Sequence, residues 1–552
     1  MLRLRWLYCL PLAAALAACA DQRVKATAHE HADAVAFPIS CGAAAQTDFD
    51  HALVLLHHMT YPQARTAFRA IAERDSECAI AQWGIAMTLF QPLWPTRPSA
   101  DDLRVGWDGL QRAQSLKHSS AREQAFIAAT AAFFAPDATD YRQRIERWNA
   151  AMASLHAAYP NDTEASAFYA LSLLASARPG PTTEEHARQA SELLLPILKD
   201  NPNHPGAMHY MIHADDTPTR ERENLDIVHH YEDIAPDNPH ALHMPTHIYV
   251  RLGDWDGVIR GNLRAADAAL KYPAGEHGEF VWDEFAHAIE YLVYAYLQKG
   301  EDDPAKAQIA RLLATPNIEP TAKTAFHLAS TRARYALERR DWAAARALVP
   351  REPAIVDWDR SPWPEGIVWF ARGYGAIRSG DAAEANRAVA RLADLQARAA
   401  KSGEDVFARQ IEVLRLELSA WIARANEGDA AAIALMQKAV DLESATPKPP
   451  VTPAPTLPAA ELLGDLLIEI GKPGEALEPY RKAAQAFPNR FNGTLALART
   501  LAATGDVPAA ADYYCRLVKL APRSERAALG EARAFLEREA ARTGHRETGC
   551  TP

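Results

Sequence analysis

The chain has 552 residues, a formal net charge of -11, 48% hydrophobic and 23% charged residues. It is long enough for more than one domain and apolar enough to bury a large core. The acidic balance and the lack of basic runs exclude nucleic acid as the main partner.

Residues 1–18 read as a signal peptide: Met1, Leu2, Arg3, Leu4 and Arg5 give a basic start, and Trp6 to Ala18 an apolar stretch too short to span a bilayer. Leu16-Ala17-Ala18-Cys19 resembles a lipoprotein signal, which implies acylation at Cys19 and a lipidated tether over 19–40. The expected location is the cell envelope, on the periplasmic side and at the outer membrane, with the lipid anchor as the sole membrane contact. Four further cysteines, Cys41, Cys78, Cys515 and Cys550, then remain in an oxidising compartment. Of the three possible connectivities, sequence proximity favours Cys41 with Cys78 and Cys515 with Cys550, bracing each end.

Residues 41–446 read as one helical array. Tyr61, Ala64 and Phe68 mark a helix, Cys78-Ala-Ile-Ala-Gln-Trp-Gly84 opens the next, and Gly253-Asp254-Trp255, Gly300, Arg340-Asp341-Trp342 and Gly380-Asp381 mark turns between paired helices. Pro92 to Pro98 and Pro179 to Thr183 read as loops, and 447–458 as a Pro-rich linker. Residues 459–552 form a C-terminal repeat pair with a capping helix. Here Leu463, Gly464, Leu467, Gly471, Ala476, Tyr480, Ala483 and Pro488 recur 34 positions later (464 to 498, 471 to 505) as Leu497, Ala498, Leu501, Gly505, Ala510, Tyr514, Leu517 and Pro522.

This pattern resembles the tetratricopeptide repeat (TPR). The resemblance implies an all-α solenoid of helix-turn-helix units with a concave groove, in which small residues let helices approach and Gly and Pro end them.

The histidines share the period. His209-x-x-x-His213 returns as His243-x-x-x-His247, both members displaced by 34 (209 to 243, 213 to 247), as are Pro205 and Pro239. Two histidines four apart lie on one helical face at a spacing that chelates a metal ion. Helices pack about 8–10 Å apart, close enough for the two pairs to converge. With Gly253 and Gly300 at the fifteenth place of their repeats, His240, His243 and His247, and likewise His287, Glu290 and Tyr294, occupy places two, five and nine. The TPR resemblance implies that these places line the groove. A lone repeat histidine is more often a hydrogen-bonded structural residue; the recurrence is what raises the metal reading.

Candidate metal ligands are therefore His209, His213, His240, His243, His247 and His287, with Glu290, Tyr294, Asp215 and Trp83 as groove or supporting residues. Imidazole suits copper, zinc or iron. His57 and His58 fall outside the groove places, and His29-Glu30-His31 lies in the tether. The strings HxxxHAxD and HxxHMPxHI further resemble those of a bacterial family of long TPR lipoproteins, from which no activity carries over. The expected function is an envelope scaffold that binds a peptide or envelope protein in its groove, with a histidine set that binds a transition metal. The alternative is a metal-dependent enzyme or metal carrier. No hydrolase elbow, phosphate loop or dinucleotide fingerprint is present.

Overall fold

Short Gly-Asp turns decide where helices stop. In this computed structural model, which describes residues 35–94, 97–177, 181–275, 277–446, 448–543 and 550, Gly253 takes φ 67° and closes the helix Pro245–Leu252. That left-handed conformation carries no Cβ penalty in glycine. Asp254 then caps Trp255–Ala269 by accepting the Gly257 N–H. Asp341, Asp381 and Asp506 cap their helices the same way. At the equivalent turn Arg340 holds φ 55° without being glycine, a strain of order 1 kcal/mol. The marked turns therefore separate helix pairs, and the fold is all-α, with one two-stranded ribbon (Pro273–Ala274 with Phe280–Val281) among the described residues.

The described residues divide into two compact units: those within 35–90, 98–169 and 193–208 form the first, and those within 91–97, 170–192 and 209–550 the second. In the first, Trp83 packs among Phe37, Phe49, Phe126 and Phe168, with ring centroids 5.5–6.3 Å apart. Its indole N–H donates to Thr130. A disulfide joins Cys41 to Cys78. In the second, Leu463, Leu467, Tyr480, Leu497, Leu501, Tyr514 and Leu517 of the C-terminal repeat pair are buried, and Gly464 lies where an added Cβ would come within 2.4 Å of the Tyr480 ring. Small residues thus admit the neighbouring helix, as the repeat requires. Cys515 is bonded to Cys550, and Ala527–Thr543 follows the pair as a terminal helix.

The boundaries between the units, at 90/91, 97/98, 169/170, 192/193 and 208/209, fall within 41–446, and the second unit continues through the C-terminal pair. The Pro-rich linker packs into the fold: Val451, Thr452, Ala454, Thr456 and Leu457 are buried. Arg334 fastens this strap by donating to the Pro455 carbonyl (2.7 Å), the Thr452 hydroxyl (2.9 Å) and the Ala454 carbonyl. A polyproline-rich backbone has few N–H donors, so its carbonyls need outside donors, and one buried guanidinium supplies them. Arg490 joins the C-terminal pair to the preceding helices, donating to Glu461 (2.7 Å), Glu338 (2.7 Å) and the Tyr294 phenol oxygen (2.8 Å). The residues 1–34, with Cys19 and the signal segment, lie outside the described residues.

Candidate metal centre

Five helical segments bring seven imidazoles of the second unit together. His209 and His213 lie on Pro205–Asp215, His240 and His243 on Pro239–His243, His247 on Pro245–Leu252, His287 on Glu284–Gln298 and His327 on Ala322–Glu338. The helix expected to carry His240, His243 and His247 unbroken is divided at Pro245, which has no N–H to continue the ladder. His243 and His247 still face each other one turn apart.

The central contact is between those two rings: their Nε2 atoms are 3.0 Å apart. Each Nδ1 is already committed. The Asn262 amide nitrogen donates to the Val258 carbonyl (2.9 Å), so the Asn262 oxygen must accept, and it takes the His243 Nδ1–H at 2.7 Å. Asp216 accepts the His247 Nδ1–H at 3.1 Å. Burial lowers the pKa of His243 well below the ordinary range, with His247 adding to the effect, and burial lowers His247 too, against the opposing pull of Asp216. Although burial opposes it, Arg251 and Lys448 hold Asp216 far down as a carboxylate. With both rings neutral and both Nδ1 protons spent, two Nε2 lone pairs point at one another. That arrangement is repulsive without a cation between them. His287 joins the pair, with its ring centroid 4.2 Å from His243, and one ligand atom from each of the three lies within 4.8 Å of the others. Tetrahedral ligation at about 2.0–2.1 Å places nitrogens roughly 3.3 Å apart, so little movement converts this triad into a coordination site.

The same tautomer recurs around it. His240 donates Nδ1–H to the Glu284 carboxylate at 3.0 Å, and His327 Nδ1 meets Glu290 at 2.8 Å. Glu284 is held low despite burial by the Lys323 ammonium and by His240. Lys323 is itself sandwiched by Asp283, Glu284 and the face of Trp94, 4.2 Å away. An Nδ1–H fixed by a carboxylate or amide, with Nε2 free for a metal, is the arrangement that orients histidine ligands. Tyr291 closes the cluster, its ring centroid 4.6 Å from His243 and 5.2 Å from His287.

All six predicted histidine ligands meet, five of them buried and His213 partly so, facing one another rather than an open groove. His209, His240, His243, His247 and His287 are each 5% exposed or less. The strap explains the difference: its Pro450 carbonyl accepts from Tyr291 (3.4 Å), and Lys448 approaches Asp216 at 3.9 Å. Four supporting assignments are corrected or refined. Asp215 points away, bonded to Arg220 and Asn224 with its pKa raised to about 6 by burial; its neighbour Asp216 reaches the histidines. Tyr294 serves Arg490 and packs on Trp255, while Tyr291 is the phenol among the imidazoles. Trp83 is core of the first unit. Glu290 is in the cluster, but through His327 and Ser330 (2.7 Å). Sequence reading also passed over Asn262, Glu284 and Asp216; only the last carried a signal, as the acid that ends HxxxHAxD.

His57, set aside from the sequence, belongs to a separate buried trio in the first unit. Its Nε2 lies 2.8 Å from Glu164, and His204 Nε2 reaches the other carboxylate oxygen at 3.3 Å. His204 Nδ1 accepts the Ala207 N–H, so its lone pair is used within the fold. This trio is an internal hydrogen-bond bridge.

No protein-family model matches the chain, and no curated protein matches it. Solved structures do. The APC/C hetero-tetramer Cut9-Hcn1 is similar over 89% of this chain and 89% of that one, with 12% identity and a TM-score of 0.30. An IFIT1 monomeric mutant with Gppp-AAAA is similar over 85% and 95%, with 12% identity and a TM-score of 0.34. A second IFIT1 mutant, with m7Gppp-AAAA, gives 11% identity over the same shares and a TM-score of 0.34. Superpositions this loose carry nothing about function.

Proposed function

We propose that this protein binds a transition-metal ion, held by His243, His247 and His287, inside a helical-repeat scaffold. The observation that carries the reading is the His243–His247 pair: two buried imidazoles whose Nε2 lone pairs meet at 3.0 Å while Asn262 and Asp216 hold both Nδ1 protons. An all-imidazole set suits copper, zinc or iron rather than magnesium or calcium. A peptide or envelope protein docking on the repeats does not account for histidines that no such partner touches, so scaffolding is a property of the frame and metal binding that of the site. The lipoprotein-like signal ending at Cys19, and the resemblance to the bacterial lipoprotein family, support an exported, lipid-anchored protein whose metal site lies in the envelope.

A metal-dependent enzyme or carrier is the second reading. Three imidazoles leave at least one coordination position open, as catalytic rather than closed structural sites do. Reconstitution with zinc and, separately, with copper distinguishes metal binding from a packed histidine core. After gel filtration the parent should retain one equivalent of the ion more than His243→Gln with His247→Gln. Equal retention by both would reject the site.

A further inference from the structure

The histidine layer holds more ligand atoms than one ion uses. Resting on the metal reading above, we infer that the protein has a second, separate metal centre formed by His209, His213 and His240. One ligand atom from each of these residues lies within 4.8 Å of the others. Their rings form a compact set: His209 is 5.0 Å from His213 and 5.0 Å from His240, centroid to centroid. The Nε2 atoms of His213 and His240 are buried and have no hydrogen-bond partner among the described residues. His240 is 3% exposed, and its Nδ1–H is fixed by Glu284, so its unused atom is the lone-pair nitrogen a metal takes. A buried imidazole nitrogen left without a partner has lost its water and gained nothing in return, and two such atoms in one set point to a shared ligand.

The two centres are neighbours that share no ligand. His213 is 6.2 Å from His247, and His240 is 6.2 Å from His243, ring to ring. Each has its own carboxylate behind it, Asp216 for the first and Glu284 for the second. The 34-residue pairing in the sequence is thus regrouped: His209 and His213 take His240 as third ligand, while His243 and His247 take His287. The ligand chemistry is nitrogen-only in both, which suits a borderline or soft divalent ion.

Titrating the metal-free full chain with Co2+, followed by its d–d absorption and by equilibrium dialysis, tests the inference. The parent should take up two equivalents. His213→Gln with His240→Gln, and His243→Gln with His247→Gln, should each take up one. A parent that saturates at one equivalent overturns the second centre while leaving the metal reading intact, whether the first double variant binds none (a single shared ion) or still binds one (His209, His213 and His240 idle). No uptake by the parent overturns both. Because the parent's own stoichiometry decides, an unfolded variant does not obscure the result.

Discussion

His243 and His247 sit one helical turn apart with their Nε2 atoms 3.0 Å from each other, each ring pinned from behind by a different acceptor. The pinning matters as much as the approach. Without Asp216 and Asn262 either ring is free to turn its N–H inward and satisfy the pair without a cation. Asp216→Asn is therefore expected to weaken metal binding about 10- to 100-fold while leaving the helical content unchanged. Competition against a chromogenic chelator measures this, and an affinity equal to the parent's contradicts the role given to Asp216.

A second expectation concerns pH. Burial pushes the Glu443 carboxyl up to about 8, and the same cause raises its neighbour Glu417 well above the usual carboxylate range. A carboxyl raised in the folded state keeps its proton where the unfolded chain has lost it. Its contribution is complete below the unfolded value and is lost as pH rises toward 8, at up to about 1.4 kcal/mol per pH unit. Glu443→Gln should flatten the fall in the denaturation midpoint between pH 5 and 8 and should be more stable than the parent at pH 8. A parent whose stability is level over that range is the opposing result.

Arg490 is fully buried and answers two buried carboxylates, Glu338 and Glu461. Replacing it with Met leaves both without their cation, and breaking a buried pair from one side costs about 3–5 kcal/mol. Urea unfolding of Arg490→Met should show a loss of that size; a loss below about 1 kcal/mol would mean that the network adds little to the folded state.

Gly464 and Gly474 offer a paired test of the repeat packing. A Cβ at 464 would meet the Tyr480 ring at 2.4 Å, whereas one at 474 meets nothing within 4 Å. Gly464→Ala is expected to destabilise by about 1–3 kcal/mol through overpacking. Gly474→Ala, near the start of Pro473–Ala486, should be neutral or slightly stabilising. Thermal melts of the two variants check this, and equal effects would argue against close helix approach at Gly464.

The repeat architecture was readable because its determinants are local. Leu463, Leu467, Ala476 and Tyr480 return 34 residues on as Leu497, Leu501, Ala510 and Tyr514, and the glycine turns at Gly471 and Gly505 punctuate them; each acts within its own helix pair. The histidine ligands were readable for the same reason. Their environment was not. The strap that encloses them is fixed by Arg334, which lies 120 residues from Ala454 in sequence, and nothing in a Pro-rich string says which helix face it will cover. Their partners were equally hidden: Asn262 and Glu284 stand 19 and 44 residues from the imidazoles they hold, on helices whose rotation no periodicity specifies. Asp215 and Asp216 are adjacent acids at a helix end and look alike until the chain turns, and the groove register that singles out Tyr294 favours one face while the buried cluster uses Tyr291 on another.

Elemental analysis by mass spectrometry, on untagged protein purified without chelator, decides whether the buried histidine layer is a metal site or a packed core of neutral rings. Copper, zinc or iron is expected at one to two equivalents per chain, retained through gel filtration; protein that carries no such metal, and takes up none on reconstitution, has a packed core instead.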